Sequence, residues 1–164
     1  MTDIDPQLYR RTLGAYPTGV VIITGHDGEG PQGLAIGSFT SVSLDPPLVG
    51  FLPDRGSSSW PKIEATGGFC VNILAADQLD TCKAFASKGG NKYGSVSWRT
   101  GSSGSPVIAD ALAWIDCDIE RIDEAGDHWF VLGRVRELAI ERDDVGPLLF
   151  FRGAYGNFGT LDSA

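Results

Sequence analysis

The sequence predicts a mainly β protein, in which antiparallel strands form a closed or nearly closed barrel with short helices at its periphery. Short runs of β-branched or alternating apolar residues recur along the chain, and turn residues separate them. Most of these strands are joined by turns rather than by helices, which disfavours a doubly wound parallel sheet. The chain has 164 residues, of which 42% are hydrophobic, enough for one domain with a substantial core. We therefore expect a single domain over residues 1–164.

The first half of the chain combines one clear helix with several strands. Asp5 and Pro6 are typical of a helix start, the residues QLYRRTLGAY continue the helix, and Pro17 ends it. The run TGVVIITG (18–25) is too short for a helix and is predicted to be a buried strand. The further predicted segments are a turn HDGEGPQG (26–33), extended stretches QGLAIGSFTSVSL (32–44) and PPLVGFLP (46–53), a short helix SSSWPKIEAT (57–66), a strand GGFCVNIL (67–74) and a helix AADQLDTCKAFAS (75–87).

The second half is predicted to be mostly β. Residues 88–105 are rich in Gly and Ser and are predicted to form a loop. In ALAWIDCDIERI (111–122), apolar and acidic residues alternate with period two, as they do in a strand with two different faces. The segment PLLFFRGAYGNF (147–158) is predicted to be one more strand.

A hairpin is predicted around residue 126. The sequence Glu124–Asp127 has the composition of a tight turn, and HWFVLGRVRELAIE (128–141) then returns as the partner strand. Arg134 and Arg136 of the returning strand are expected to offset the acidic residues opposite them, which is a structural role.

The composition argues against several classes of protein. The net charge is −8, from 21 acidic and 13 basic residues, so a broad nucleic-acid or anionic-membrane surface is not expected. The charge of an anionic ligand would have to be met locally by a few residues and by backbone amides. The apolar runs are far too short to span a membrane, and the N-terminus carries no apolar signal core, so we expect a cytoplasmic protein. The three cysteines are expected to be reduced and buried, and with only two histidines no metal site is predicted.

Three short motifs do not support the chemistry that they suggest. Residues 28–33 match GxGxxG, but a dinucleotide fingerprint needs a helix directly after it, and strand-like residues follow here, which predicts a hairpin loop. Residues 101–105, GSSGS, lack the closing glycine of a serine nucleophile elbow. Asp127 and His128 are adjacent, and neighbouring residues on a strand point to opposite faces, so we expect no direct pair between them.

A first candidate for a ligand site is the stretch AIGSFTSVSLDPPLVGF (35–51). Hydroxyl residues stand here among apolar ones, beside the flexible Gly37. These hydroxyls either face solvent from a half-buried strand or contact a polar ligand that lies against the backbone.

A second candidate is the serine run Ser57, Ser58 and Ser59, which precedes a predicted helix and follows Arg55. The pattern fits simple capping of the helix by one serine, and it also fits an anion site made of hydroxyls and free amides. The predicted strand 46–53 connects this run directly to the first candidate stretch.

Each of these stretches is a weak signal alone, but their combination in this order is typical of one protein family. The order GLAIGSFTSVSLDPPLVGF, SSSWPKI, FCVNIL, GDHWFVLGRV and PLLFFRGAYG resembles the flavin reductase family with the FMN-binding split-barrel fold. The likeness is greatest to the small reductase components of two-component flavin-dependent monooxygenases, and it covers residues 8–158. It implies an antiparallel split barrel of the Greek-key type, and a homodimer with the flavin site at the subunit interface.

The resemblance also implies which residues bind flavin. The segment matching Ala35 to Ser38 lies against the flavin ring and ribityl chain, mainly through backbone amides. Arg55, Ser57 and Ser59 match the positions that bind the flavin phosphate. Phe85 and Lys92 match positions that close over the phosphate or adenosine side. The implied cofactor-binding residues are Ala35, Ile36, Gly37, Ser38, Ser41, Arg55, Ser57, Ser58, Ser59, Phe85, Lys92, His128, Arg152 and Tyr155.

The nicotinamide side is implied by His128 and the segment from Arg152 to Tyr155. His128 is the one residue to which we assign a catalytic role, as a positioning group for nicotinamide. From the residues alone, His128 fits an exposed hairpin histidine equally well, Tyr155 fits barrel packing, and Arg152 fits a surface charge.

The activity implied by the resemblance is NAD(P)H-dependent reduction of FMN or FAD. The reduced flavin would then pass to a separate monooxygenase component. Two alternatives stay open: a flavin-binding carrier or sensor without turnover, and a split-barrel oxidase that keeps its flavin and acts on its own substrate.

Overall fold

The computed structural model describes residues 3–161 and shows a mainly β chain, as predicted. The helices are α1 (Pro6–Leu13), α2 (Trp60–Glu64) and α3 (Leu79–Ala86). The strands are β1 (Thr18–Gly19), β2 (Val21–His26), β3 (Pro31–Ile36), β4 (Thr40–Leu44), β5 (Pro47–Phe51), β6 (Gly68–Ile73), β7 (Trp98–Thr100), β8 (Pro106–Ile108), β9 (Ala113–Ala125), β10 (His128–Ile140), β11 (Leu148–Phe151) and β12 (Ala154–Asn157). The predicted hairpin loop at residues 28–33 is confirmed in part, because residues 27–30 form the turn between β2 and β3 whereas residues 31–33 belong to β3.

Seven strands form one antiparallel sheet in the order β3-β2-β6-β9-β10-β5-β4. The predicted extended stretch 32–44 is therefore two strands, and they lie at opposite edges of this sheet. Only residues 37–39 connect them. Ser38 fixes this connection, because its Oγ donates to the Leu52 carbonyl at 3.1 Å and accepts from the Leu52 amide at 3.0 Å.

One apolar core is shared by strands from both ends of the sheet. Leu34 and Ile36 of β3 belong to the same buried cluster as Val49 and Phe51 of β5. Phe51 contacts Trp60 of α2 edge-on, with the ring centroids 5.4 Å apart, so that α2 is held against the core by an aromatic pair.

The predicted hairpin around residue 126 is confirmed, with β9 and β10 joined by Gly126 and Asp127. Its two arginines have the predicted structural role. Arg134 lies 2.8 Å from Glu120 and Arg136 lies 2.9 Å from Asp118 across the pair of strands.

The prediction that residues 88–105 form only a loop is wrong. Trp98–Thr100 form β7, which pairs with β8, and this small hairpin covers the outer face of the large sheet. Val107 of β8 packs against Cys70 and Trp114 of the sheet, and Asn72 of β6 accepts from the Ile108 amide at 2.7 Å, so the contact has an apolar and a polar part. The covering segment also buries Asp116 completely, and this carboxylate accepts from Ser102 Oγ and the Ser103 amide at 2.8 and 2.6 Å.

The C-terminal segment is a hairpin of two strands, not the single strand that was predicted. β11 and β12 are joined by Arg152 and Gly153, which both have positive φ angles of 48° and 81°. Together with β1 they form a three-stranded sheet, and the Arg152 amide donates to the Gly14 carbonyl at the end of α1. The predicted helix α1 is confirmed, with the Asp5 side chain capping its first turn, and all its residues are exposed.

Candidate functional site

A cavity of about 270 Å³ lies between β3, the loop before α2 and the end of α3. Three distant stretches of sequence meet here, and they bring together six of the residues implied by the resemblance. The cavity is lined by Leu34, Ala35, Gly56, Ser57, Ser58, Ser59, Phe85, Ala86, Ser87, Lys88 and Lys92. Among the described residues no Asp or Glu lines it, so this part of an acidic chain has a locally positive lining.

One wall of this cavity is the edge of the large sheet. Because β3 is an edge strand, alternate backbone groups along its free side have no partner strand. At the start of β3, side chains of the segment after α3 bind its carbonyls: Lys92 Nζ donates to the Gly33 carbonyl at 3.1 Å, and Tyr93 OH donates to the Gln32 carbonyl at 2.9 Å. Further along, Leu34 and Ala35 border the cavity, where a ligand can approach the strand.

Lys92 connects the three stretches of chain that line the cavity. Besides Gly33, its Nζ donates to the Phe85 carbonyl at 3.2 Å and to Ser59 Oγ at 3.4 Å, so one ammonium group joins β3, α3 and the serine run. Desolvation lowers the pKa of this lysine from its ordinary value. Sequence reasoning placed Lys92 near the ligand but did not foresee this bridging role.

The three serines differ in their surroundings. Ser57 Oγ accepts from the Trp60 amide at 3.2 Å, so this serine caps the first amide of α2, whereas Ser59 at the N-cap position makes no side-chain capping bond. Ser59 is 8% exposed and its hydroxyl lies beside Lys92, whereas Ser58 is exposed. Capping by Ser57 leaves its hydroxyl hydrogen available for a ligand, because the capping bond uses only a lone pair.

Phe85 forms the apolar part of the lining. It is buried against Tyr93 in an edge-on contact with centroids 4.9 Å apart. A Cβ at Gly33 would lie 2.5 Å from the Phe85 ring, so the close approach of α3 to β3 depends on that glycine. Sequence reasoning missed Gly33, although a glycine inside a strand is a known sign of a close backbone approach.

The remaining residues of the first candidate stretch lie beyond this cavity. Ile36 belongs to the core, and Gly37 borders a separate cavity of about 140 Å³ near β1 and the start of β11. Ser38 is exposed but its hydroxyl is engaged by Leu52, as described above. Ser41 is exposed on β4, opposite Val49.

Arg55 and His128 are brought together at the turn between β9 and β10. The Arg55 guanidinium stacks over the Trp129 ring, 4.4 Å from its centroid, and lies 3.5 Å from Glu124. The Arg55 amide donates to the Asp127 carbonyl at 3.0 Å, and the neighbouring Asp54 forms a β-bridge with His128. The loop that carries the serines is thus fixed to the turn that carries His128.

The expectation that Asp127 and His128 form no direct pair is wrong. The Asp127 carboxylate lies 2.8 Å from His128 Nδ1, and this hydrogen bond lowers the pKa of the Asp127 carboxyl. Alternation between opposite faces applies within a strand, whereas Asp127 belongs to the turn before β10 and can fold back.

Arg152 and Tyr155 lie in the three-stranded sheet, not beside His128 in the large one. Arg152 occupies the turn and its guanidinium lies 4.9 Å from the Phe151 ring centroid. Tyr155 OH is 3.5 Å from Cys82 Sγ on α3, which raises the pKa of Tyr155. Neither residue lines the 270 Å³ cavity, although Tyr155 contacts α3, whose end borders it.

Two further features bear on the class of protein. Within residues 3–161, no three His, Cys, Asp or Glu side chains are grouped in a way that would hold a metal ion. None of the helices in the same range has the length and apolar character needed to cross a membrane.

Comparison with known proteins identifies the family. Residues 13–159 match the family model described as the flavin reductase like domain. Since this match covers most of the chain, the protein belongs to the flavin reductase family.

Several relatives resemble the chain over nearly all of its length. A flavin reductase of Pseudomonas putida is 55% identical over 159 residues, covering 96% of this chain and 93% of the relative. The reductase subunit HsaB of a flavin-dependent monooxygenase from Rhodococcus jostii is 46% identical, covering 93% of this chain and 77% of the subunit. A solved NADH:FAD oxidoreductase of Streptomyces globisporus, in complex with NAD and FAD fragments, superposes with a TM-score of 0.90 at 34% identity, covering 99% of this chain and 100% of the other.

Proposed function

We propose that this protein is an NADH-dependent flavin reductase that supplies reduced FMN or FAD to a separate monooxygenase. The observation that carries the proposal is the cavity beside β3, whose lining combines serine hydroxyls and two lysines with the apolar residues Leu34, Ala35 and Phe85. Relatives named as reductase subunits of monooxygenases support the further step to a partner oxygenase.

The lining fits the phosphate and chain of a flavin. Ser57 and Ser59 offer hydroxyl donors and Lys88 offers an ammonium group, so the lining can bind an anion although the whole chain has a net charge of −8. The free edge of β3 at Leu34 and Ala35 offers backbone groups to the polar ribityl chain. The ring then lies toward the segment from Ile36 to Ser38.

The chemistry that the bound flavin and nicotinamide supply is hydride transfer from nicotinamide C4 to flavin N5. The chain contributes alignment of the two rings, which needs no strong general acid. His128 orients the nicotinamide carboxamide through Nε2, because Nδ1 is occupied by Asp127. Arg55 fixes the His128 turn to the serine loop and thereby sets the distance between the two binding regions.

We further propose that the large sheet is a split barrel. An open sheet of seven strands would hold its edges about 29 Å apart, at roughly 4.8 Å per strand spacing. Here β3 and β4 are those edges, and β3 ends at Ile36 only four positions before β4 begins at Thr40. The Cα atoms of these two residues are at most about 14 Å apart, so the sheet has to curve until its edges come close. The core cluster common to β3 and β5 supports the same curvature.

We propose a homodimer whose interface is the exposed apolar surface formed by α1 and the hairpin β11–β12. Leu8, Leu13 and Tyr16 are more than half exposed on or beside the helix, and Phe151 and Tyr155 are exposed on the hairpin that adjoins it. Patches of this kind mark protein–protein interfaces. A second subunit placed there would cover Tyr155 and Arg152, which do not line the cavity of their own chain. We place the dimer in the cytoplasm, where its three free, buried cysteines stay reduced.

The flavin site is tested by replacing both Ser57 and Ser59 with Ala and titrating the protein with FMN and with riboflavin. Loss of two hydrogen bonds to a phosphate is expected to weaken FMN binding, at about 1.5–3 kcal/mol for each bond, and to leave riboflavin binding nearly unchanged. Ser87→Ala, on the same cavity but at the end of α3, is the matched control. Equal losses for FMN and riboflavin would show that the two serines only support the loop.

A further inference from the structure

The side chain of Arg55 does not lie where the resemblance implies. The resemblance assigns Arg55 to the flavin phosphate, together with serines of the same loop. The 270 Å³ cavity is lined by residues 56–59 of that loop but not by Arg55. The Arg55 guanidinium instead lies over the ring of Trp129, 4.4 Å from its centroid, and Trp129 directly follows His128 in β10.

The backbone and the side chain of Arg55 are both bonded to the turn before His128. The Arg55 amide donates to the Asp127 carbonyl at 3.0 Å. Its guanidinium donates to the Gly126 carbonyl at 3.4 Å and to the Glu124 carboxylate at 3.5 Å. All three acceptors lie within residues 124–127, so the structure places the positive charge of Arg55 on the nicotinamide side of the proposed site.

The Arg55 guanidinium keeps donors available for a ligand. Its two bonds to the turn are the side-chain bonds that Arg55 makes within residues 3–161, and both are longer than a usual N–H···O bond. The side chain is 42% exposed. Stacking on Trp129 holds the plane of the guanidinium, while its N–H groups point outward in that plane and can meet the oxygens of a phosphate.

The charges around His128 explain why a cation is needed there. Asp127 is bonded to the His128 ring, Asp54 is bridged to the His128 backbone, and Glu124 lies at the other side of the turn. A nicotinamide dinucleotide carries a negatively charged pyrophosphate, which carboxylates at short range repel. Among the described residues, Arg55 is the cation whose side chain is bonded to this turn, so it is the group that can offset that repulsion.

We propose that Arg55 binds the pyrophosphate of NADH and not the phosphate of the flavin. The proposal rests on the proposed function, since it requires nicotinamide beside His128. The guanidinium stays stacked on Trp129 and exchanges its long bonds to the turn for bonds to pyrophosphate oxygens. The flavin phosphate is bound by the serine run and Lys88 without help from Arg55.

The proposal is tested with Arg55→Met and two hydride donors. Methionine keeps an apolar stem over Trp129, and the backbone bond to Asp127 does not depend on the side chain, so the variant is expected to fold. The donors are NADH and 1-benzyl-1,4-dihydronicotinamide, which has the same reacting ring and carboxamide but no phosphate. Flavin affinity is measured separately, by titrating the protein with FMN and with riboflavin in the absence of either donor.

We expect Arg55→Met to raise the KM for NADH by about tenfold or more, the size expected for lost hydrogen bonds to a charged group. The KM for the benzyl compound and the affinities for FMN and riboflavin should stay near those of the wild type. Arg99→Met is the matched control, because Arg99 also lies over a tryptophan ring, 5.0 Å from the centroid of Trp114, and pairs with Glu141 at 2.7 Å. It should leave all four quantities unchanged.

Three results would overturn the proposal, each with a different meaning. Weaker binding of FMN but not of riboflavin would return Arg55 to the flavin phosphate. An equal rise of KM for both hydride donors would mean that Arg55 only holds the turn that carries His128. An unchanged KM for NADH would leave Arg55 as a surface residue. In each case a wild type that oxidises both donors in the presence of flavin keeps the proposed function intact, whereas a wild type that oxidises neither contradicts that function itself.

Discussion

Arg55 is the residue that connects the two halves of the proposed site. Its guanidinium stacks on Trp129 and lies near Glu124, while its main chain bonds to Asp127. Arg55, implied for phosphate, and His128, implied for nicotinamide, are 73 positions apart in sequence (128 minus 55). The bond from the Arg55 amide to the Asp127 carbonyl brings these two parts of the chain together. A change at the turn is therefore expected to affect nicotinamide more than flavin.

The first prediction concerns His128, whose Nε2 is the nitrogen not bonded to Asp127. Replacing His128 with Ala removes a positioning contact to nicotinamide but no group of the flavin cavity. Steady-state kinetics should show a raised KM for NADH or slower hydride transfer, while the flavin affinity measured by titration stays near that of the wild type.

The matched control is His26→Ala, which changes the other histidine, the last residue of β2. Its Nδ1 accepts only from the nearby Gly28 amide, so NADH kinetics should be unaffected. Unchanged NADH kinetics in a folded His128→Ala protein would reduce His128 to an ordinary hairpin residue.

At the scale of elements, the hairpin β7–β8 is held on the large sheet by buried polar contacts. Asp116 is fully buried and accepts from Ser102 and Ser103, and Asn72 bonds to the Ile108 amide. Buried polar groups of this kind are costly to leave without partners, so they determine where the covering segment lies.

We predict that Asp116→Ala destabilises the fold without changing the flavin site. It leaves two serine hydroxyls and one amide without their acceptor, at a cost of about 1–3 kcal/mol or more in the free energy of unfolding. Urea denaturation measures this loss. Asp118→Ala on the same strand removes only a surface ion pair with Arg136 and should cost about 1 kcal/mol or less. Equal effects of the two substitutions would contradict this account of the hairpin.

The elements also show which signals in the sequence are reliable. The strand at 113–125 and the turn after it were predictable, because alternation and turn residues are local signals. β7 was not, since three exposed residues carry no periodicity and gain their structure from β8 and the sheet beneath. The turn between β11 and β12 was missed because its first residue at a positive φ is Arg152, and the single Gly153 after it is a weak turn signal.

The same distinction applies to the site. Hydroxyl runs and family resemblance indicated the residues that meet around the 270 Å³ cavity, whereas the bridging bonds of Lys92 required the positions of three elements in space. The pairing of Asp127 with His128 was missed for a different reason. The rule that neighbouring residues of a strand point to opposite faces was applied to a residue of a turn.

For the whole molecule, we predict a homodimer that depends on the apolar surface of α1. Leu13→Glu places a charge on this surface and should shift the protein toward monomer, measured as molar mass by light scattering during gel filtration. Leu44→Glu changes an equally apolar but separate residue, 92% exposed on β4, and should leave the mass unchanged. A wild-type protein that is monomeric at micromolar concentration, or a dimer insensitive to Leu13→Glu, would contradict the proposed interface.

The central claim, that this chain reduces flavin with NADH, is tested most directly by mixing NADH with free flavin under anaerobic conditions and a catalytic amount of the protein. The absorbance of oxidised flavin is then followed. We expect the whole pool of flavin, in molar excess over protein, to be reduced at one NADH consumed per flavin, and only a negligible rate without the protein. Flavin that binds to the protein but keeps its oxidised absorbance in the presence of NADH would contradict the claim and would indicate a carrier.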